Sequence, residues 1–302
     1  MKPPLVSIII PTYNAAGTLA RTLESVRRQS YRPLEVIVVD GASQDRTVAI
    51  ANDYRDIVST LISEPDRGQA HAINKGFQIA RGDILCWLCA DDEFLPDTVQ
   101  HAVNHFNAAP EIDVIAGACV RVFSDGTRLV VVPPPDVVEL IGIQYRLEQP
   151  STFWRQRVTK NQPGLDESLH YAFDWDFFAR IVRPPHRTLV LPEVMSVYHF
   201  SATNKTSTGG RKLALELREV IRRHGPMNGR LADVFYFLYR RFDLAGCYDQ
   251  PPACTRETWR RFERVMAQLE RKYPKEFLLR YNWNFVSRQE RHLPGFPAWR
   301  PE

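Results

Sequence analysis

Short, continuous runs of apolar residues alternate with helical patterns in the first third of the chain. The runs at 5–10, 34–39 and 84–88 are typical of strands buried on both faces of a parallel sheet. Between them, apolar residues recur at helical spacing, as in 16–29, with charged residues on the opposite face. The alternation predicts a βαβ series, and therefore an α/β fold with a mostly parallel sheet flanked by helices.

The pattern becomes more mixed after the first third, and helical patterns dominate from Arg211 onward. The further predicted strands are 57–62, 114–116, 120–132 (with a turn at 124–126), 188–191 and 194–198. The further predicted helices run from Ser43 or Asp45 to Tyr54, from Ala70 to Ala80, from Pro96 to Phe106 and from Asp174 to Val182.

Acidic residues follow the apolar runs closely. Asp40 ends the second run, and Asp91 and Asp92 come just after the run at 84–88. In open parallel sheets, ligands bind beyond the carboxyl ends of the strands, so we expect these acids to surround one crevice. Neighbouring acids repel one another unless a positive charge joins them, and a divalent cation carrying a phosphorylated ligand would supply that charge.

Charge divides the chain of 302 residues into two parts. Residues 1–208 hold 20 Lys and Arg against 24 Asp and Glu, whereas residues 209–302 hold 19 against 11. The sequence therefore predicts a catalytic domain over 1–208 and a basic, mainly helical C-terminal region over 209–302. No apolar run reaches the roughly 18 residues of a membrane span, and the N-terminus has no secretory signal. These features predict a cytoplasmic protein.

The five cysteines show no spacing typical of a disulfide framework, which favours a reducing compartment. Cys86 and Cys89 form a C-x-x-C pair. No second pair follows it, and positions three apart in a strand face opposite sides. A redox or zinc role for the pair is therefore disfavoured.

Five motifs, in this order and spacing, resemble those of family 2 glycosyltransferases, which have the GT-A fold. The resemblance extends over roughly residues 5–205. The motifs are Ser-Ile-Ile-Ile-Pro-Thr-Tyr-Asn (7–14), Val-Asp-Gly-Ala-Ser-Gln-Asp-Arg-Thr (39–47), Glu-Pro-Asp-Arg-Gly (64–68), Leu-Cys-Ala-Asp-Asp (88–92) and Phe-Asp-Trp-Asp (173–176).

The resemblance implies a binding site for a nucleotide sugar. Asp40 would accept a hydrogen bond from the base, typically uracil, and Asp91 would contact the ribose or the sugar. The remaining implied contacts are Pro11, Tyr13 and Asn14 as the floor beneath the base, and Asp66 and Arg67 near the nucleotide end of the same pocket.

The resemblance also implies a metal-dependent, inverting transfer. Asp92 would bind Mg²⁺ or Mn²⁺, His199 would contact the diphosphate or the metal, and Asp174 would act as the general base. Two positions depart from the family pattern, because Cys89 and Phe173 stand where an acid is common. The metal then depends on Asp91 and Asp92, and Asp176 is an alternative partner in the role of the base.

Each acid also has a plain structural interpretation. Asp40 and Asp45 are typical of turns and helix N-caps, and Asp174 and Asp176 are typical of the first turn of a helix. The joint order of the motifs favours the functional interpretation. A nucleotide-sugar-binding protein without catalysis is the alternative function.

The expected partners are a nucleotide-sugar donor and a saccharide or lipid-linked saccharide acceptor in the synthesis of a surface polysaccharide or glycolipid. Residues 231–242 are largely apolar and are flanked by arginine pairs. This segment predicts either a helix packed inside the protein or a peripheral contact with the inner face of the membrane. No nucleic-acid-binding motif is found, so a nucleic-acid partner is not expected.

Overall fold

The computed structural model describes residues 2–160, 162–200, 204–205, 209–241, 256–269 and 271–273. The chain divides into two compact units. The first comprises Met1–Val138 and Arg146–Phe200, and the second comprises Glu139–Tyr145 and Ser201–Glu302.

Most of the predicted elements lie within a few residues of their expected positions. The strands are β1 (Val6–Thr12), β2 (Leu34–Asp40), β3 (Val58–Ser63), β4 (Ile84–Trp87), β5 (Glu93–Phe94), β6 (Val114–Phe123), β7 (Arg128–Val131), β8 (Thr152–Arg155) and β9 (Thr188–Phe200). The helices are α1 (Leu19–Arg27), α2 (Thr47–Asp53), α3 (Gln69–Ile79), α4 (Thr98–Ala108), α5 (Val137–Leu140), α6 (Gln156–Thr159), α7 (Phe173–Ile181), α8 (Gly210–His224), α9 (Arg230–Arg241) and α10 (Arg256–Leu269).

Within the described residues, nine strands form one sheet in the order β3-β2-β1-β4-β8-β6-β9-β5, with β7 paired to β6. The four strands β3, β2, β1 and β4 are parallel to one another, as the βαβ pattern predicts. Beyond β4 the sheet is mixed, because β8 runs antiparallel to β4 and to β6, whereas β9 runs parallel to β6. The parallel half of the sheet thus ends where β8 begins.

One strand replaces the two predicted at 188–191 and 194–198. β9 continues through Pro192, and the β6–β9 pairing shifts register between the Val190 and Val194 pairs. Proline cannot donate a ladder hydrogen bond, so it is accommodated where the pairing is irregular.

Aromatic side chains join α7 to the middle of the sheet. The rings of Phe178 and Trp87 stack with centroids 5.1 Å apart, and Phe177 meets Trp154 edge to face at 5.4 Å. All four side chains are buried, and such pairs contribute about 0.5–1.5 kcal/mol beyond the burial of their area. This packing fixes α7 against the last residue of β4.

The second unit contains α8 and α9, which pack against each other. On α9 the buried side chains are Leu231, Ala232, Phe235 and Leu238, whereas Phe237 is exposed. This spacing places the buried residues on one face of the helix, so α9 is amphipathic and not apolar all round. Across the described ranges, we find no helix with the length and apolar character of a membrane span.

Candidate active site

Polar residues form a row at the carboxyl ends of the parallel strands. Thr12 is the register partner of Asp40, and Asp40 is the partner of Ser63. The three residues therefore lie side by side across β1, β2 and β3. This is the edge of the sheet at which open α/β folds bind their ligands.

Asp40 lies in the middle of this row and is 1% exposed. Its Oδ1 accepts hydrogen bonds from the hydroxyls of Thr12 (3.1 Å) and Ser43 (2.5 Å). Its Oδ2 accepts from the Ser43 backbone N–H (3.0 Å) and the Ser63 hydroxyl (2.7 Å). Four protein donors thus surround a carboxylate that has about four acceptor sites. Asp40 thus already receives about as many hydrogen bonds as it can accept, and its predicted contact with a base would require one of these donors to be displaced.

The loops after β1 and β2 are tied together by hydrogen bonds. The Asn14 backbone N–H donates to the Ser43 hydroxyl (2.8 Å), and Asn14 Oδ1 accepts from the Gln44 backbone N–H (2.9 Å). Asn14 adopts a left-handed conformation with φ of 48°, which asparagine tolerates better than most residues. Asn14 therefore fixes the shape of the two loops.

Tyr13 and Asp66 both lie next to Gly41. Tyr13 is 65% exposed, and Pro11 is buried in β1 below it. A Cβ atom placed on Gly41 would come within 2.7 Å of Asp66 Oδ2 and 3.3 Å of Tyr13 Cδ2. Glycine at this position therefore allows the Asp66 carboxylate and the Tyr13 ring to approach the end of β2.

The loop containing Asp66 closes on itself. Asp66 Oδ1 accepts a hydrogen bond from the Gly68 backbone N–H at 2.7 Å. Gly68 has φ of +117°, a backbone conformation that residues with a Cβ atom rarely adopt. Arg67 forms an ion pair with Glu167 and is largely exposed. The structure thus brings Tyr13, Asp66 and Arg67 to the same end of the sheet.

Side chains of α1 hold the loop that follows β4. Arg21 Nη2 donates to the Asp91 carbonyl oxygen at 3.0 Å, and the Thr22 hydroxyl donates to the Asp92 carbonyl oxygen at 2.8 Å. Arg21 Nε also pairs with Glu93 at 3.1 Å. These two hydrogen bonds use the backbone carbonyl oxygens of Asp91 and Asp92 and do not involve their carboxyl groups.

Three possible metal ligands come together in this loop. The ligand atoms of Cys89, Asp91 and Asp92 all lie within 4.8 Å of one another. The Cys89 thiol accepts a hydrogen bond from Gln69 Nε2 (3.2 Å) and donates one to Gln149 Oε1 (3.4 Å). The two carboxylates suit Mg²⁺ and Mn²⁺, and the thiol adds a softer donor beside them.

Asp92 is 1% exposed, and its Oδ2 is buried without a hydrogen-bond partner within the part of the chain that the structure describes. Burial raises the pKa of Asp92 well above its usual value, and repulsion from Asp91 raises it further. Burial also raises the pKa of Asp91. An unpaired buried carboxylate oxygen is costly, and a bound cation would relieve both the missing contact and the repulsion. The residues present therefore fit a divalent metal.

The ring of His199, a predicted ligand, contacts Glu93 in this structure. Its ring Nε2 is 2.6 Å from Glu93 Oε1, and its backbone N–H is 3.4 Å from Asp92 Oδ1. His199 is thus next to Asp92 through its backbone, and its ring contacts Glu93. The clustered ligand atoms are those of Cys89, Asp91 and Asp92, and a contact of His199 with a metal or a diphosphate stays a prediction.

Asp174 lies in the first turn of α7 and is half-buried, with Oδ1 2.7 Å from the Trp175 backbone N–H. Asp176 is buried, and its Oδ2 is 3.2 Å from Arg180 Nε. Asp174 is half-buried and Asp176 is buried, so Asp174 is the more accessible of the two acids. Phe173 is buried at the start of the helix.

Cys89, Gln69 and Gln149 are site residues that the sequence did not indicate. The C-x-x-C spacing paired Cys89 with Cys86, but Cys86 is buried inside β4 and Cys89 lies beyond the end of that strand. The signal in the sequence was the position itself, because position 89 is where an acid is common among family 2 glycosyltransferases.

A sequence model described as glycosyl transferase family 2 matches residues 7–181. Among curated proteins, an uncharacterized glycosyltransferase of Rickettsia typhi is 30% identical over 189 residues, which cover 60% of this chain and 59% of that protein. The chain thus spans less than two thirds of that relative. The amylovoran biosynthesis glycosyltransferase AmsB of Erwinia amylovora is 28% identical over 66% of this chain and 71% of its own length.

Solved structures share the fold. The mannosyltransferase PcManGT from Pyrobaculum calidifontis, in complex with GDP-Man and Mn²⁺, superposes with a TM-score of 0.58 at 19% identity. The match covers 95% of this chain and 86% of that one. The likeness confirms the predicted GT-A type of α/β fold.

Proposed function

The chain belongs to glycosyltransferase family 2, and on this basis we propose that it transfers a sugar from a nucleoside diphosphate sugar, with UDP as the carrier, to an acceptor hydroxyl. The observation that carries the proposal is the group formed by Cys89, Asp91 and Asp92, in which one buried carboxylate oxygen has no partner among the described residues. This group follows β4, which pairs with β1, the strand that leads to Tyr13.

Asp91 and Asp92 would hold a divalent cation, Mg²⁺ or Mn²⁺, with the Cys89 sulfur beside them. When bound, such a cation neutralises the negative charge that develops on a diphosphate leaving group. Arg21 and Thr22 would keep the loop in position through its carbonyl groups.

Asp174 would accept the proton of the acceptor hydroxyl as the oxygen attacks the anomeric carbon. Attack from the face opposite the diphosphate would invert the configuration. A carboxylate in this role contributes about 10²–10⁴-fold to the rate. Asp174 is half-buried, whereas the ion pair with Arg180 engages the buried Asp176, which supports Asp174 in this role.

The acceptor would be a saccharide or a lipid-linked saccharide of a growing surface polysaccharide. The support is the similarity to AmsB, whose name places it in amylovoran biosynthesis. A lipid-linked acceptor would be reached through a peripheral membrane contact of the basic C-terminal region, which has an excess of Lys and Arg. Binding to phosphatidylserine vesicles that decreases with salt would support this contact, and an absence of binding at low salt would oppose it.

The test of the function is a panel of nucleotide sugars with and without Mn²⁺. We expect one nucleotide diphosphate sugar to raise the melting temperature only when Mn²⁺ is present, because a ligand that binds the native state stabilises it by mass action. The same donor should then be consumed in the presence of saccharide or lipid-linked acceptors. Absence of stabilisation by every donor would contradict the proposal.

A further inference from the structure

Recognition of a nucleotide base requires a polar atom that is not already used inside the protein. Asp40 does not supply one, since its two oxygens receive four hydrogen bonds from Thr12, Ser43 and Ser63. A ligand could bind Asp40 only by displacing buried donors, each of which would lose its partner. The acceptor that reads the base must therefore lie elsewhere.

Asp66 has such an atom. Its Oδ1 accepts from the Gly68 backbone N–H, and its Oδ2 receives no hydrogen bond from the residues that the structure describes. Because Gly41 has no side chain, Asp66 Oδ2 lies close to the end of β2, next to the exposed ring of Tyr13. The bond to Gly68 holds the carboxylate in one orientation, so Oδ2 is a fixed acceptor beside an aromatic ring.

We propose that Asp66 determines the base specificity of the donor, an inference that rests on the proposed function. A base lying on Tyr13 would donate its ring N–H to Asp66 Oδ2. Uracil and guanine carry such a ring N–H, whereas cytosine and adenine have a lone pair at the equivalent nitrogen. A carboxylate facing that lone pair is repelled, so the pocket selects bases with a ring N–H.

Two ligand pairs isolate this contact. UDP and CDP differ at one edge of a pyrimidine, and GDP and ADP differ in the same way for a purine. We expect the unmodified protein with Mn²⁺ to bind UDP about 10- to 100-fold more tightly than CDP, or GDP more tightly than ADP by a similar factor, since one hydrogen bond to a charged group is at stake.

Asp66→Asn is the decisive variant. The amide keeps an oxygen for the Gly68 N–H and presents its NH₂ group to the base. This donor faces the ring N–H of uracil or guanine and suits the lone pair of cytosine or adenine, so the preference should be lost or reversed while diphosphate binding persists. Glu64→Gln is the matched control, because Glu64 is exposed and pairs with Lys75 at 2.8 Å. It removes a nearby charge and should leave the base preference unchanged.

The outcomes separate the two proposals. If no nucleotide binds the unmodified protein, the proposed function fails. If nucleotides bind but Asp66→Asn retains the full preference, or if the unmodified protein prefers CDP or ADP, the role of Asp66 is wrong and the function stands. Loss of the preference in Asp66→Asn, with Glu64→Gln unchanged and both variants folded, supports the inference.

Discussion

Two buried aspartates at the same edge of the sheet have opposite surroundings. Asp40, at the end of β2, accepts four hydrogen bonds from neighbouring residues. Asp92, after β4, has one long contact from the His199 backbone N–H and one oxygen with no partner among the described residues. Both residues are 1% exposed, so burial alone does not distinguish a structural acid from a functional one. The number of hydrogen-bond donors around each carboxylate does distinguish them.

The hydrogen bonds of Asp40 are all supplied by the protein, whereas Asp92 lacks contacts that a bound ligand could supply. Around Asp40, hydroxyls and a backbone N–H hold three strands together. Around Asp92, repulsion from Asp91 and burial both raise the pKa, which is unfavourable for the protein alone and favourable for a cation site. Functional sites commonly sacrifice stability in this way.

A third acid, Asp174, provides the largest expected effect. Asp174→Asn should lower kcat by about 10²–10⁴-fold, because the amide cannot accept the proton. Nucleotide binding and the melting temperature should change little, since Asp174 is half-buried on the first turn of α7. Steady-state kinetics measures kcat, and calorimetry measures nucleotide binding and the melting temperature. Asp176→Asn is the control, and a greater loss of kcat in that variant would assign the base to Asp176.

Asp92→Asn tests the ligand-dependent side of the comparison. With Mn²⁺ at 100 times its Kd, the unmodified protein should gain about 2.7 kcal/mol of unfolding free energy, and the variant should lose most of that gain. Without metal, the variant should be about 0.5–2 kcal/mol more stable, because a buried charge next to Asp91 is removed. Denaturant unfolding with Mn²⁺ and with EDTA measures both changes. Equal stabilisation of both proteins by Mn²⁺ would remove Asp92 from the metal site.

Asp40→Asn tests the structural side with the same substitution. The variant should lose about 2 kcal/mol of unfolding free energy, since hydrogen bonds to a neutral amide are weaker than those to a carboxylate. The loss should be equal with Mn²⁺ and with EDTA. If Asp40→Asn were instead neutral for stability and abolished nucleotide binding, the contrast between the two aspartates would be broken.

Cys89→Asp has the smallest expected effect. Thiolate ligands favour softer metals such as Co²⁺, and carboxylates favour Mg²⁺ and Mn²⁺. The ratio of the affinity for Mg²⁺ to the affinity for Co²⁺ should therefore rise in the variant by about tenfold or less. Thermal shifts with Mg²⁺, Mn²⁺ and Co²⁺ measure this ratio, and a sulfur-to-metal absorption band with Co²⁺ should disappear. Cys86→Ala should keep the band, because Cys86 is buried within β4.

The parallel half of the sheet was predictable because its strands are buried on both faces and read as continuous apolar runs. β9 was harder, since Pro192 divides its sequence and only the register shift against β6 allows one strand to pass through it. The acids of the site were found from their positions after the strands. The four hydrogen bonds to Asp40 could not be predicted in this way, because the donors come from Thr12, Ser43 and Ser63, and only the pairing of β1, β2 and β3 brings those together.

The place of β9 in the chain has a consequence for the newly made protein. Strands β1 to β4 are complete at Trp87, but β9, whose backbone contacts Asp92 and pairs with β5, begins at Thr188. At roughly 5–20 residues per second on the ribosome, β9 emerges several seconds later. We expect the Asp92 side chain to stay in contact with water during that interval and to become buried only when β9 joins the sheet, in the last stage of folding. Pulse-labelled hydrogen exchange should find amides of β1 protected before those of β9, and simultaneous protection would exclude this order.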